Sequence, residues 1–405
     1  MIRRQPVIAL LLPYPLNPLV GGVQRITWQL GQYFAGRGWK VIYVSLATAG
    51  HCQPPQGVLE HPAEVLPERS GPIRAFLNGV LTRHQPDVVI NQMALSGAIG
   101  KALWEASDAG CQFIVVGCFH NSPALYRDSL EHILGHRLRK SPLLRQLVDN
   151  PAGRGLLLWL HRRRAGHRFC QAISQCHRLV LLSPTFFEEI RWFVPDADPN
   201  RLAAIANGFP TQPPPSQDTK RNRLLFVGRM NNLQKNIFML PDLWERLHAQ
   251  LPDWELHLVG DGRDLVELKA MVAARRLPRV MFHGRTDPTD LYCSARLFLM
   301  VSAFEGFGNT LIEAQMQGTV PVAFDTYSAL RWILHDGIDA LILRAGDIAG
   351  FAEAISRLAR DSTRLASMSE AAVANAKRFS ETNIGGQWEM LLAQLGVRLP
   401  QQDFV

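Results

Sequence analysis

The chain has 405 residues, 47% hydrophobic and 19% charged, with a formal net charge of +8. That length exceeds one hydrophobic core and predicts two domains, and the composition excludes a disordered or disulfide-stapled class. The apolar runs all fall short of the roughly 18 residues a spanning helix needs, and the positive balance calls for an anionic partner.

Residues 7–12 form an apolar run behind Arg3 and Arg4. The run stops at Pro13 with no small-residue cleavage site, so it predicts a first buried strand rather than a leader. The six cysteines (Cys52, Cys111, Cys118, Cys170, Cys176, Cys293) show no Cys-x-x-Cys pair and no framework spacing. They predict reduced thiols in the cytoplasm. The loop after the first strand ends in Gly21 and Gly22, which open a helix marked by Val23, Ile26, Leu30 and Phe34. A helix N-terminus there suits an anion, but without Gly-x-Gly-x-x-Gly no dinucleotide fingerprint is present. Residues 40–46, 87–91, 112–119 and 179–182 predict further strands, 99–109 a helix and 48–72 a loop. His120 falls just past a strand's C-terminal end, where open parallel sheets bind ligands.

Arginine crowds the stretch from about 126 to 168, where Leu156-Leu-Leu-Trp159-Leu160 directly precedes Arg162, Arg163 and Arg164. No recognition module or base-stacking pattern accompanies these cations, so nucleic acid is not predicted. Leucine and tryptophan beside arginine fits an anionic membrane surface, and fits equally a solvated helix face beside a core stripe. Ser183-Pro184 predicts a helix with proline in its first turn. Asp196 and Asp198 sit in a proline-flanked connection with no strand leading in, so they predict no metal site.

Residues 211–220, with three consecutive prolines, predict a linker. Strand–helix alternation then restarts, with strands over 224–227, 254–259, 280–283, 297–300, 320–323 and 340–343, and helices near 348–358, 365–378 and 384–395. Two such repeats predict two doubly wound α/β domains: 1–212, carrying the basic insert about 126–168, and 213–380. A final helix over 381–405 would cross back to the first domain, with Trp388 a candidate to pin it there.

In the second half, Phe226-Val-Gly228-Arg229 ends a strand and Lys235 follows within one loop. Arginine gives forked hydrogen bonds to phosphate and lysine a compact charge. Gly284 and Arg285 follow a later strand. Residues 302–315 read Ser-Ala-Phe-Glu-Gly-Phe-Gly-Asn-Thr-Leu-Ile-Glu-Ala-Gln. Glu305, Gly306, Phe307 and Gly308 make a strand-to-helix turn whose first amides, through Asn309 and Thr310, face whatever sits ahead of them. The helix dipole makes that guest a phosphate. Glu305 and Glu313 lie about two helical turns apart.

Glu305-Gly-Phe-Gly with Glu313 resembles the Glu-x7-Glu motif of retaining GT-B glycosyltransferases, family 4 in particular. The GT-B resemblance implies two Rossmann-like domains facing a cleft. It implies a metal-independent, cofactor-free transfer from a nucleotide-sugar donor, most readily a UDP-sugar, to a glycan or lipid-linked acceptor in polysaccharide or lipopolysaccharide synthesis. By the same resemblance Gly21 and Gly22 border the donor diphosphate and His120 lies near the transferring sugar. Gly228, Arg229 and Lys235 grip the diphosphate, and Gly284 with Arg285 lies in the segment that holds the base. Glu305 meets the sugar hydroxyls and Glu313 the ribose hydroxyls. The stretch 327–334 departs from the family pattern, carrying Arg331 and Trp332 where an acidic residue is usual. A catalytically silent GT-B binding protein and a sugar-nucleotide epimerase of the same fold remain alternatives.

Overall fold

A computed structural model describes residues 4–66, 70–108, 112–137, 150–211, 213 and 216–400. Arg139, Lys140 and Arg145 of the basic region, Cys111 and part of the linker lie outside them. The chain forms two compact units, one drawn from 1–123, 156–210 and 379–405, the other from 124–155 and 211–378.

The first unit holds a parallel sheet of seven strands: β1 (Val7–Leu12), β2 (Lys40–Ser45), β3 (Val58–Glu60), β4 (Val88–Asn91), β5 (Ile114–Phe119), β6 (Arg178–Leu181) and β7 (Leu202–Ala204). Their order is β3-β2-β1-β4-β5-β6-β7. The second unit's six strands are β8 (Arg221–Val227), β9 (Glu255–Val259), β10 (Val280–Gly284), β11 (Ala295–Met300), β12 (Val320–Asp325) and β13 (Leu341–Arg344), ordered β10-β9-β8-β11-β12-β13. Helices cover both faces of such sheets, so the strands are apolar end to end rather than alternating. All six residues of β1 are buried. In the second unit Trp244 and Phe226 sit in one core with Leu224, Leu256, Leu297 and Phe351. Each such side chain contributes about 1.5–3 kcal/mol on burial.

Each order reverses once, between β1 and β4 and between β8 and β11, whose strands pair directly. Connections leave these neighbours in opposite directions, which opens a crevice at their C-terminal ends. The loops after β8 and β11 carry Arg229, Lys235 and Glu305.

The structure corrects several expectations. The loop predicted over 48–72 contains β3, an edge strand too short to show a period. Its Glu60 accepts from Arg83 at 2.7 Å and pairs with His84 at 2.6 Å. The helix expected at Ser183-Pro184 is Phe186–Phe193, and Ser183 Oγ instead meets the Thr185 hydroxyl at 2.8 Å. The basic stretch is not one insert of the first domain, because 124–155 groups with the second unit. There the helix Leu130–Arg137 lies against Asn232–Lys235, with His132 Nε2 2.7 Å from the Leu233 carbonyl. Asp198 caps the turn Pro199–Arg201 by accepting from the Asn200 amide at 2.8 Å, an ordinary structural role. The helix Glu381–Gln394 belongs to the first unit, where Arg37 and Glu389 form a bidentate pair at 3.0 and 3.1 Å.

The last residue of the predicted linker is an anchor. Lys220 is buried, and its ammonium donates to the Tyr292, Ala295 and Gln317 carbonyls and the Thr319 hydroxyl. It ties the start of β8 to the starts of β11 and β12. Burial pushes its pKa down from 10.5 to about 7; Cys293 opposes the shift and Arg296 adds to it. The unfolded chain therefore binds the extra proton between about pH 7 and 10.5, so this residue's contribution to stability rises with pH across that window and is lost as pH falls through 7. Urea titrations at pH 7 and 9.5 should show the stability difference between wild type and Lys220→Met moving in the wild type's favour at the higher pH. An unchanged difference contradicts the shift.

Candidate functional site

The loops leaving β8 and β9 are zipped together. Gly228 N–H donates to the Val259 carbonyl and Met230 N–H to the Asp261 carbonyl, each at 3.0 Å. This approach is so close that a Cβ at Gly260 would stand 1.9 Å from the Gly228 carbonyl oxygen. Arg229 projects from this zipper, exposed; its carbonyl accepts from the Asn231 amide at 2.7 Å, while its guanidinium has no hydrogen-bond or ion-pair partner among the described residues. The chain then makes a single helical turn, Asn232–Lys235, capped by Asn231 at 3.1 Å and held by Asp264 accepting from the Asn232 amide at 2.6 Å. Lys235 ends that turn, where the backbone swings into the left-handed region at Asn236 (φ 53°).

β11 is β8's neighbour, so its exit loop runs alongside. The Ala303 amide donates to the Gln234 carbonyl at 2.9 Å, and Lys235 Nζ meets Glu305 Oε1 at 2.6 Å. Both side chains are largely removed from water, 15% and 7% exposed. The structure thus brings together two residues that the family resemblance assigned to different parts of a donor, Lys235 to the diphosphate and Glu305 to the sugar hydroxyls.

Gly308 turns the chain into the helix Asn309–Met316 with φ 92°. A left-handed residue is required there, and a Cβ would also stand 2.4 Å from the Tyr327 hydroxyl. That hydroxyl donates to the Phe307 carbonyl at 2.9 Å. Tyr327 is buried, and burial together with the Glu305 carboxylate pushes its pKa well up, so it stays a donor. Phe307 is buried near Trp332, with ring centroids 6.2 Å apart, and the Arg378 guanidinium lies 5.0 Å over the Trp332 ring. The turn is therefore held rigidly. The amides of Gly306, Gly308 and Thr310 have no acceptor among the described residues.

Glu313 lies further along the same helix and accepts from the Tyr292 hydroxyl at 3.1 Å. Gly284 ends β10 in the left-handed region (φ 64°) and accepts from the Gly260 amide at 2.8 Å, with Arg285 exposed beyond it. Asp325, at the end of β12, is paired with Arg331 at 2.7 Å. This accounts for the arginine where the family pattern has an acid.

The first unit carries the remaining candidates. Gly21 caps the helix Gly22–Gly36 with φ −166°, ordinary extended backbone; a Cβ there would press on the Gln24 side chain at 2.5 Å. His120 follows β5 and Gln92 follows its neighbour β4, so the two meet, His120 Nε2 to Gln92 Oε1 at 2.6 Å. With the amide oxygen facing it, Nε2 carries the proton and Nδ1 is left as an acceptor. Burial pushes the His120 pKa down to about 4, so the ring is neutral at physiological pH. It borders a cavity of about 30 Å³ that Gln29, Tyr33, Glu381 and Trp388 also line. Trp159, Arg162, Arg163 and Arg164 lie exposed on the helix Pro151–Ser174, away from any of these groups in sequence. Tyr327, Gln92 and Tyr292 were missed by the sequence reading. Each acts through a partner at least 20 positions away, and no local pattern signals that.

The Gly308 geometry gives a direct test. Gly308→Ala should destabilise the second unit by about 1–2 kcal/mol for the left-handed backbone alone, and more from the clash. In a Tyr327→Phe background the clash part should disappear while the backbone part remains. Equal costs in both backgrounds, read by urea titration, contradict the contact.

Residues 221–361 match the family described as glycosyl transferases group 1, and residues 20–213 match glycosyltransferase family 4. A lipopolysaccharide core biosynthesis glycosyltransferase, LpsE of Rhizobium meliloti, is 36% identical over 123 residues, 29% of this chain and 36% of that protein. A poly(glycerol-phosphate) alpha-glucosyltransferase of Bacillus subtilis is 25% identical over 46% of this chain. The match spans only 28% of that relative's length. Among solved structures, Anabaena HepE in complex with UDP and glucose superposes with a TM-score of 0.70 at 17% identity, covering 96% of this chain and 100% of that one. At that identity the likeness shows the fold. Between them the two family matches take in both units, and the chain belongs to the group 1, family 4 glycosyltransferases of GT-B fold.

Proposed function

We propose that the protein is a retaining glycosyltransferase that moves a sugar from a nucleoside-diphosphate donor, a UDP-sugar, to a glycan or lipid-linked acceptor of cell-envelope polysaccharide or lipopolysaccharide. The observation that carries this reading is the contact of Lys235 with Glu305 at 2.6 Å, beside the amides of Gly306, Gly308 and Thr310 and the guanidinium of Arg229, none of which has a partner among the described residues. Support for the donor and pathway comes from relatives named for lipopolysaccharide core and poly(glycerol-phosphate) glycosylation, and from UDP in the HepE complex.

Transfer breaks the bond between the sugar's anomeric carbon and the diphosphate oxygen, and the electron pair leaves with the phosphate. Charge on that oxygen is what the site must stabilise, and preorganised donors aimed at developing charge are the largest catalytic term in many enzymes. Arg229, Lys235 and the turn's amides form such a set and in this reading take the place of a metal ion. The acceptor hydroxyl attacks on the face the phosphate is leaving, and its proton passes to the departing phosphate oxygen. Configuration is then retained without a protein nucleophile. Glu305, already held by Lys235, is placed to accept from sugar hydroxyls rather than to attack, and Glu313 to accept from the ribose. The neutral ring of His120 suits a hydrogen bond to a hydroxyl and not pairing with phosphate charge.

Arg229→Ala and Lys235→Ala should each lower turnover by about 100–1000-fold. Glu313→Ala should mainly weaken donor binding. In a thermal-shift panel of UDP-, GDP- and ADP-sugars, a UDP-sugar should raise the melting temperature, since a ligand of the native state alone does so. No shift with any donor, or wild-type transfer in all three variants, would sink the assignment. Donor binding without transfer to any acceptor would favour a silent binding protein. The anomeric configuration of the product, read by NMR, tests retention. Because burial keeps His120 neutral down to about pH 4, the pH–rate profile should show no His120 limb between about pH 5 and 8; a limb near 6.5 that vanishes in His120→Asn contradicts the burial.

A further inference from the structure

The helix Pro151–Ser174 carries five arginines and no carboxylate. Its C-terminal half is anchored in the first unit, with Gly166, Phe169, Ala172 and Ile173 buried. Gly166 lies so close to the chain beyond that a Cβ would stand 2.8 Å from the Phe193 carbonyl oxygen. Ahead of this anchor the apolar residues point the other way. Leu156 and Trp159 are 55% and 53% exposed and Leu160 36%. With Arg163 they fall at i, i+3, i+4 and i+7, which is one stripe of a helix.

The flanking charges are held against aromatic faces. The Arg163 guanidinium lies 5.6 Å over the Trp159 ring and that of Arg162 lies 5.2 Å over Trp192, whose carbonyl accepts from Arg162 Nε at 2.7 Å. A groove of about 600 Å³ runs alongside, lined by Trp159, Arg162, Arg163, Phe193 and Pro195, with Asp196 as its one carboxylate. Exposed tryptophan and leucine interleaved with arginine, on a helix without a counter-charge, complement a surface apolar within and negative at its face. No helix among the described residues is long and apolar enough to cross a membrane.

We infer that this stripe docks the first unit on an anionic lipid bilayer, with Leu156, Trp159 and Leu160 at the headgroup–acyl boundary and Arg163, Arg164 and Arg168 on the lipid phosphates. Charge complementarity selects the bilayer over a second copy of this chain, which would bring Arg163 and its neighbours Arg162 and Arg164 against their own like charges. The surface acts by lying on the membrane, apart from the donor chemistry, so it stands or falls independently of the proposed transfer.

The full-length protein should float with vesicles containing 30% phosphatidylglycerol and stay behind with pure phosphatidylcholine. Raised salt should release it, since screening shortens the reach of the arginines. Arg163→Ala, Arg164→Ala and Arg168→Ala should each lower partition roughly five-fold. Leu156→Ser with Trp159→Ser should lower it by more than tenfold while leaving the melting temperature unchanged, because those side chains are exposed. Equal partition to both vesicle types overturns the inference, as does unchanged partition of the variants. A wild type that fails to float but elutes as a dimer, dispersed by the Leu156/Trp159 double change, overturns it in favour of self-association.

Discussion

The ion pair between Lys235 and Glu305 is the contact on which the proposed donor site of the second unit rests. Two ions largely removed from water lose hydration that only close geometry recovers, and removing either partner leaves a buried charge unpaired. Such a pair is therefore worth more as a positioning device than as a source of stability. It fixes the end of the Asn232–Lys235 turn against the loop after β11, which sets where the glycine turn and its amides point. It also leaves the meeting point of the two loops nearly neutral. In the proposed reading a diphosphate would bring the negative charge that lets the ammonium be shared, leaving the carboxylate to accept from a sugar hydroxyl.

The pair exists because of topology rather than local sequence. Lys235 and Glu305 are 70 positions apart, and they meet because β8 and β11 are neighbours at the point where the strand order reverses. The first unit has an uncharged pairing between loops of neighbouring strands, one strand away from its own reversal at β1 and β4. Gln92 and His120 leave the neighbouring strands β4 and β5 and meet at 2.6 Å beside a small cavity. Burial strips the ring of its proton there, so one fold produces an ionic contact in one unit and a neutral hydrogen bond in the other. The difference lies in the partner that each crevice supplies.

This also explains what could be read from the sequence. The strands and most helices were legible because burial on both faces writes continuous apolar runs, and the glycine turn because Gly308 answers a local demand for left-handed backbone. Arg229, Lys235, Glu305 and Glu313 were legible as residue types suited to phosphate and hydroxyl groups. Their pairing was not. Tyr327 sits in a stretch that departs from the family pattern, yet its hydroxyl pins the Phe307 carbonyl. Lys220 reads as the polar end of a proline linker, and only the packed strand starts reveal four acceptors around its ammonium. β3 escaped because three residues at a sheet edge carry no period.

The net charge of +8 calls for an anionic partner, and the proposed phosphate site is one place to look for it. Within that site, however, most cations are locally answered: Lys235 by Glu305, Arg331 by Asp325, Arg263 by Asp264. Arg229 is the one named donor-loop cation left without a partner among the described residues. The helix Pro151–Ser174 has no such answering carboxylate along its length. The two regions handle charge differently because their tasks differ. A site that must bind and then release a diphosphate works best with cations whose charge is already balanced, so that product departure does not strand them. In the docking inferred above, an anionic lipid plane would meet arginines that face no carboxylate of their own helix. Five arginines thus share a helix that carries no carboxylate of its own, and that is the charge on which the inferred docking draws.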